Sequence, residues 1–276
     1  MTLGEHLDEL RRRVVRGALA VVLGMVVAFV FNKPLLEGIT EPYREAMRDL
    51  HAPGQFQVTE PLDGFVLVMK LCFLVGLVGT APLWLSQMWS FISAGLYPKE
   101  RRVVRVFFPI SVGLFALGGL CAYLMVLPVG MRFLIGWNAS HGWQSNFAVG
   151  AYISMCVTFV IGMGVAFQMP LVMLFLQATG IFARETFSRG WRLAILSAFV
   201  VSMIVTPDPT PISQVMMALP LVGLYFLGVW GGRFVGETKE PFTVWKSWPL
   251  LLMAAAMAAM FLFRRDIQGF ATSLFS

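Results

Sequence analysis

Two carboxylates carry the sharpest chemistry in this chain: Glu9, in the run HLDELRRR, and Glu100, in the run FISAGLYPKERRVVR. Each sits on a short polar segment joined to a long apolar one, so both can be held at one membrane surface. Carboxylates fixed in this way receive guanidinium groups. Arginine offers a planar two-pronged fork that lysine cannot copy, and each charge-assisted bond contributes about 1.5–3 kcal/mol. Two such contacts cover much of a micromolar affinity, about 8 kcal/mol. A plainer reading competes: Arg12 or Arg13, one turn on, neutralises Glu9, and Glu100 complements the positive end of a helix opened by Pro98. Spacing by itself favours the plainer reading. Use of the pair as a catalytic acid and base is a third option, but no nucleophile, metal cluster or phosphate loop accompanies it, so neither an enzyme nor a cofactor is expected.

The remaining reactive side chains add little. His6, His51 and His141 are scattered without metal-ligand spacing, so no metal is expected. Cys72, Cys121 and Cys156 fall inside apolar runs and read as small buried hydrophobes rather than a disulfide framework. Asn138-Ala139-Ser140 matches a glycosylation pattern only by chance.

The elements that must position the acids follow from composition. Of 276 residues, 58% are hydrophobic and only 13% charged, which excludes an ordinary soluble domain. Apolar windows of about 17–25 residues recur along the chain, each long enough to span a hydrocarbon core as a helix. The net charge of +6 comes from Lys and Arg at the ends of apolar runs, with no aromatic-interleaved patch, so nucleic acid is not a partner and membrane lipid is. The expected fold is all-α, a polytopic bundle of six spans.

Thr2 and Glu5 make a capping pair, and Leu3, Leu7, Leu10 and Val14 share one face of an interfacial helix that feeds the first span, Val14 to Phe31, an uncleaved anchor. Asn32 to Asp63 is the longest polar connection. It carries Pro34, Pro42, Pro53 and Pro61, and Glu41, Arg44, Glu45 and Arg48 are spaced for one short solvated helix in a structured cap. The second span runs from Gly64 past Pro82 toward Trp89, with Lys70 snorkelling to the interface near its start, Leu83 to Ile92 tilted into the interface at its other end, and Trp84 and Trp89 as belt residues. The third span is Val106 to Leu127, containing Pro109 and followed by Pro128, and a loop covers Trp137 to Phe147.

The fourth span, Val149 to Leu176, should kink at Pro170, whose ring removes the bond to the carbonyl of Ala166. Gln168 either caps that freed carbonyl, bonds a neighbouring helix, or marks a functional polar site. Thr179 to Arg192 reads as a polar loop. The fifth span, Leu193 to Val205, is only about 20 Å long as a helix, and the sixth, Gln214 to Trp230, is also short and interrupted by Pro220. The turn-like TPDPTPIS at 206–213 joins them.

Lys and Arg concentrate at the N-terminus, the Phe91 loop, the Thr179 loop and Gly231 to Lys246, which places the N-terminus in the cytoplasm. A further apolar run, 248–263, ends at Arg264 and Arg265. It reads equally as a seventh crossing or as an interfacial or partner-packed helix.

The runs HLDELRRR at 6–13, Pro42, TEP at 59–61, FISAGLYPKERR at 91–102, FQMP at 167–170 and TPDPTPISQ at 206–214 together resemble the TatC family, the core of the twin-arginine protein translocase. The resemblance covers 1–233 and leaves 234–276 as a tail of unassigned role. It implies six spans in a curved cup, in the cytoplasmic (inner) membrane of a bacterium. It also implies a receptor for the twin-arginine signal peptides of folded cargo, driven by the proton-motive force, with TatA and TatB as single-span partners and several copies of the chain in one hetero-oligomer. Glu9, Glu100, Phe91 and Leu96 would bind the signal peptide. Gln168, Thr206 and Gln214 would contact partner helices, and Pro42 and Pro170 would shape the backbone. Many family members have glutamate where Gln168 stands, which removes any titrating group from that position. The rival from another class is a secondary transporter of a small solute, for which the chain offers only Lys70 and Gln168 and no internal repeat.

Overall fold

In the computed structural model, which describes residues 3–49, 56–58, 61–96, 101–143, 148–182, 184–205 and 211–235, the amphipathic start and the first apolar run form one helix, α1 (Leu3–Val30). No proline interrupts the run. Thr2, half of the expected capping pair, lies outside the described residues. Leu19, Val22, Leu23, Val26 and Val27 of α1 are all exposed. Lipid tails solvate such a stripe as well as protein does, so the helix needs only a narrow seam to dock. Glycines make that seam. A Cβ built on Gly24 would lie 2.9 Å from the Cα of Gly76, and one on Gly76 would lie 2.7 Å from the backbone nitrogen of Met25.

The cap is a longer and less solvated helix than the charge spacing predicts. α2 (Asn32–Asp49) has an Arg48–Glu41 ion pair on its outer side but buries Thr40, Tyr43, Ala46 and Met47. Pro42 lies inside this helix and is buried. Burial pushes the Tyr43 phenol above its ordinary value, so it stays neutral.

The second apolar run is broken. α3 (Asp63–Gly79) and α4 (Ala81–Ala94) meet at Thr80 with a bend of 59°. Pro82 at the start of α4 explains the break, since its ring excludes the carbonyl four residues back. Across the bend the Thr80 hydroxyl donates to the Gly76 carbonyl at 2.7 Å, and the Trp84 indole donates to Leu77 at 2.9 Å. Trp89, expected in an interfacial belt, is buried in the core, while Trp84 is half-buried. Trp89 is 4% exposed and packs against Phe107 of α5 and edge-on against Phe175 of α8, and Trp84 packs edge-on against Phe115 of α5, because the bend turns α4 onto α5.

The third run is also longer than expected. α5 (Arg101–Cys121), a π-helical turn (Ala122–Val126) and α6 (Leu127–Ser140) make one continuous helix. Pro128 does not end the span. It stands in the first turn of α6, where its missing N–H needs no acceptor, and the widened π turn makes room for its ring. The far half of this helix carries the cap: Arg132, only 7% exposed, holds Asp49 of α2 at 2.7 Å, and the Tyr123 hydroxyl donates to the Gly38 carbonyl.

The fourth run divides as expected into α7 (Val149–Ala166) and α8 (Met169–Ala178), with Pro170 in the first turn of α8. α5 and α7 pack on a second glycine seam, where a Cβ on Gly118 would meet the Met163 carbonyl at 2.6 Å. The Tyr152 hydroxyl of α7 reaches the Ile39 carbonyl of the cap at 2.8 Å. Phe107, Leu127, Met131, Ile135, Ile153, Met163 and Leu171 form the centre of the core. The polar stretch after Thr179 contains a short helix, α9 (Arg184–Arg189), followed by α10 (Trp191–Val205) and α11 (Pro211–Val235). α11 runs through Pro220 without a break, against the interruption expected there.

Among the described residues, three helices are long and apolar enough to cross a membrane: Gly4–Val30, Val104–Ser140 and Val149–Ala178. The bent α3–α4 pair makes a fourth if it is one span. Trp191–Ile204 and Met217–Gly232 are shorter apolar helices, at the positions of the fifth and sixth spans in the sequence count. The three cysteines are free and buried, as expected.

Candidate functional site

Glu9 sits two turns into α1, and the helical repeat places His6 and Arg13 on its own face. Arg13 donates from both Nε and Nη2, at 2.9 and 2.5 Å, to a single oxygen of Glu9, Oε1. The other oxygen, Oε2, is shielded from solvent and has no hydrogen-bond partner among the described residues. The Glu9 side chain as a whole is only 16% exposed. Arg13 therefore pairs with this carboxylate, as the plainer reading holds, while its second oxygen keeps an acceptor that nothing among the described residues satisfies.

His6 ties this face to the end of α4 by stacking on Phe91 with ring centroids 4.4 Å apart. Phe91 and Arg13 then line one groove of about 350 Å³ between α1 and α4, whose walls are otherwise apolar apart from Gln87 and include Leu10, Val14, Trp84 and Met88. Leu96, just beyond α4, packs against the main core and donates its N–H to the Ser93 carbonyl. Glu9, Phe91 and the approach to Leu96 are thus brought toward one end of the α1–α4 pair. Glu100 lies outside the described residues, between Leu96 and the start of α5.

The intramembrane polar residues are engaged within the chain. Gln168, at the α7–α8 break, exchanges two hydrogen bonds with Ser111 of α5: its Nε2 donates to the Ser111 carbonyl at 3.0 Å and its Oε1 accepts from the Ser111 hydroxyl at 2.6 Å. Ser111 is fully buried. Of the readings open for Gln168, bonding to a neighbouring helix is the one observed, and the neighbour belongs to the same chain. Lys70 is exposed and donates to the Ser154 hydroxyl of α7 at 2.8 Å. Gln214 donates weakly to the Phe199 carbonyl of α10 at 3.3 Å, and its own carbonyl accepts from Ser202 at 2.6 Å. Thr206 lies outside the described residues. No group of three or more potential metal ligands exists among the described residues.

Sequence reasoning missed His6, Ser111 and Arg132. A histidine next to a capping segment and a lone serine in an apolar helix carry no one-dimensional signal, because their partners are 85 and 57 positions away. Arg132 could have been singled out, since a cation inside a long apolar run needs a partner.

Comparison with known proteins decides the family. The profile of the family described as Sec-independent protein translocase protein (TatC) matches residues 5–220. The chain belongs to the TatC family. A TatC of Aquifex aeolicus is 35% identical over 244 residues, covering 87% of this chain and 98% of that protein. A TatC of Koribacter versatilis is 32% identical over 240 residues, covering 87% of this chain and 88% of that protein. Among solved structures, a crystal structure of the twin-arginine translocase receptor TatC superposes with a TM-score of 0.74 at 32% identity, over 83% of this chain and 99% of that one. The TatC match takes in Glu9, Phe91, Leu96, Gln168 and Gln214, and it ends within α11.

Proposed function

We propose that this chain is the signal-peptide receptor and core subunit of a twin-arginine translocase that moves folded proteins across the cytoplasmic membrane of a bacterium. The observation that carries the reading is the shielded, unpartnered Oε2 of Glu9 beside the His6–Phe91 stack. A buried acceptor of this kind leaves the site less stable than it would be with a donor present, and an incoming guanidinium supplies that donor. Glu100 provides the second carboxylate, so that two neighbouring arginines are read together, and Phe91 and Leu96 supply apolar cover. Membership of the TatC family supports the same role.

In this reading the chain binds and passes cargo and performs no bond chemistry. Six spans, two of them short, place the N-terminus in the cytoplasm, and residues 1–233 form the working unit with 234–276 as a tail. TatA and TatB are the single-span partners, with Thr206, Gln214 and Gln168 on the helices that meet them. Pro42 and Pro170 set the backbone of the cap and of the fourth span. Several copies of the chain assemble in one complex, and the proton-motive force drives transport. The solute-transporter alternative gains no support, because Lys70 and Gln168, the side chains it would use, are bonded to Ser154 and Ser111.

The test is direct binding to the purified full chain of a peptide with paired arginines and of its paired-lysine version. The arginine peptide should bind about 10–100-fold more tightly than the lysine one, and Glu9→Gln or Glu100→Gln should each remove about 1.5–3 kcal/mol of that binding. Equal affinities for the two peptides, or no loss in either variant, would refute the receptor assignment.

A further inference from the structure

A cavity of about 570 Å³ lies between α4 and α5 and shares no lining residue with the groove of Arg13 and Phe91 between α1 and α4. Its two walls are helical stripes. Ser86, Ser90 and Ser93 line it from α4, and Arg101, Arg105 and Phe108 line it from α5. Intervals of three and four residues put each set on one face of its helix. Arg101 and Arg105 are exposed, one turn apart, and have no ion-pair partner among the described residues. Two cations held side by side without a counter-charge repel each other, and an anion between them removes that repulsion. Trp89 also lines the cavity, is 4% exposed, and has an indole N–H shielded from solvent with no acceptor.

The polarity of the walls is graded. The arginines stand at the loop end of α5, while Phe108 marks the side where α5 becomes continuously apolar. The hydroxyls of Ser86 and Ser93 donate to carbonyls of their own helix, Leu83 and Ser90, and the Ser86 oxygen accepts weakly from Gln87, so the serine wall is uncharged and largely satisfied within α4. Cations at the loop end and an aromatic surface further along α5, in a cavity at the end of a spanning helix, match the phosphate and the acyl chains of an anionic phospholipid. The cationic lining repels an arginine-bearing peptide, which distinguishes this cavity from the Glu9 site.

We propose that the α4–α5 cavity binds the headgroup of an anionic phospholipid, with the phosphate between Arg101 and Arg105 and the acyl chains along Phe108. The inference does not depend on the receptor reading. The purified full chain should bind short-chain phosphatidylglycerol about tenfold or more tightly than short-chain phosphatidylcholine, with a matching rise in Tm for the unmodified protein. Arg101→Gln and Arg105→Gln should each weaken phosphatidylglycerol about fivefold, the expectation for one basic residue at an anionic surface. Arg101→Lys and Arg105→Lys should retain most of the binding, and Arg12→Gln should leave it unchanged. Soluble glycerol 3-phosphate should bind far more weakly than the lipid. Equal binding and equal Tm shifts for the two lipids overturn the proposal, as do Arg→Gln variants that bind like the parent. Glycerol 3-phosphate as tight as the lipid overturns it too, since the site would then take phosphate rather than a membrane lipid.

Discussion

At the scale of single residues, the carboxylate of Glu9 is divided between an internal and an external role. Arg13 occupies one oxygen and leaves the other shielded without a donor. Arg13 therefore competes with any arginine presented from outside. An i,i+4 ion pair contributes about 0.3–0.5 kcal/mol on a helix, so Arg13→Ala should tighten a paired-arginine peptide by a small factor, about twofold, in calorimetric titration. A loss as large as that of Glu9→Gln would show instead that Arg13 shapes the receptor. Gln168 and Ser111 form a second pair whose members satisfy each other. Ser111→Ala or Gln168→Leu leaves one buried polar group stranded at a cost of about 1–3 kcal/mol, whereas the double variant should recover part of that loss. Thermal unfolding of the four proteins in one detergent measures the coupling, and strict additivity would mean that the two side chains do not interact. Gln168 was singled out in the sequence because glutamine is rare in an apolar helix, but its partner was not, since serine is unremarkable there.

At the scale of elements, two features separate what periodicity can announce from what it cannot. Pro170 breaks the fourth span as its chemistry demands, yet Pro128 and Pro220 lie in unbroken helix. The difference lies in whether the freed carbonyl and the ring can be accommodated, by a π turn in the case of Pro128, and sequence does not report that. The glycine seams are a matter of approach distance. Gly76 stands against the backbone of α1 at a separation no Cβ tolerates, whereas Gly64, at the start of the same helix, faces open space. Gly76→Ala should thus lower the unfolding temperature by several degrees by pushing α1 off α3, and Gly64→Ala should leave it within a degree or so. A neutral Gly76→Ala would show that the α1–α3 seam yields. Trp89 belongs to the same lesson: tryptophan at the end of an apolar run reads as an interfacial anchor, but a 59° bend at Thr80 turns α4 so that Trp89 is buried in the core.

At the scale of the whole molecule, the cap outside the spans and the long α5–α6 helix hold each other in place. Arg132 reaches Asp49, and Tyr123 and Tyr152 hydrogen-bond to backbone carbonyls of α2. Asp49→Ala should release the C-terminal turns of α2 and lower stability by about 1–3 kcal/mol, seen as faster hydrogen exchange in α2 with α7 unchanged. Uniform exchange across both helices would place the cap in the same cooperative unit as the bundle. Sequence alone determined the membrane class, the all-α architecture, the placement of the apolar runs and the identity of the acidic residue at the first interface. Those properties depend on composition and on contacts within a turn or two of helix. Only the tertiary structure decided that α4 folds back onto α5, that His6 meets Phe91, that Gln168 meets Ser111, and that one oxygen of Glu9 is left bare. Each of these depends on an angle between two helices and on side chains tens of positions apart, and neither the hydrophobic period nor the local turn chemistry encodes such an angle.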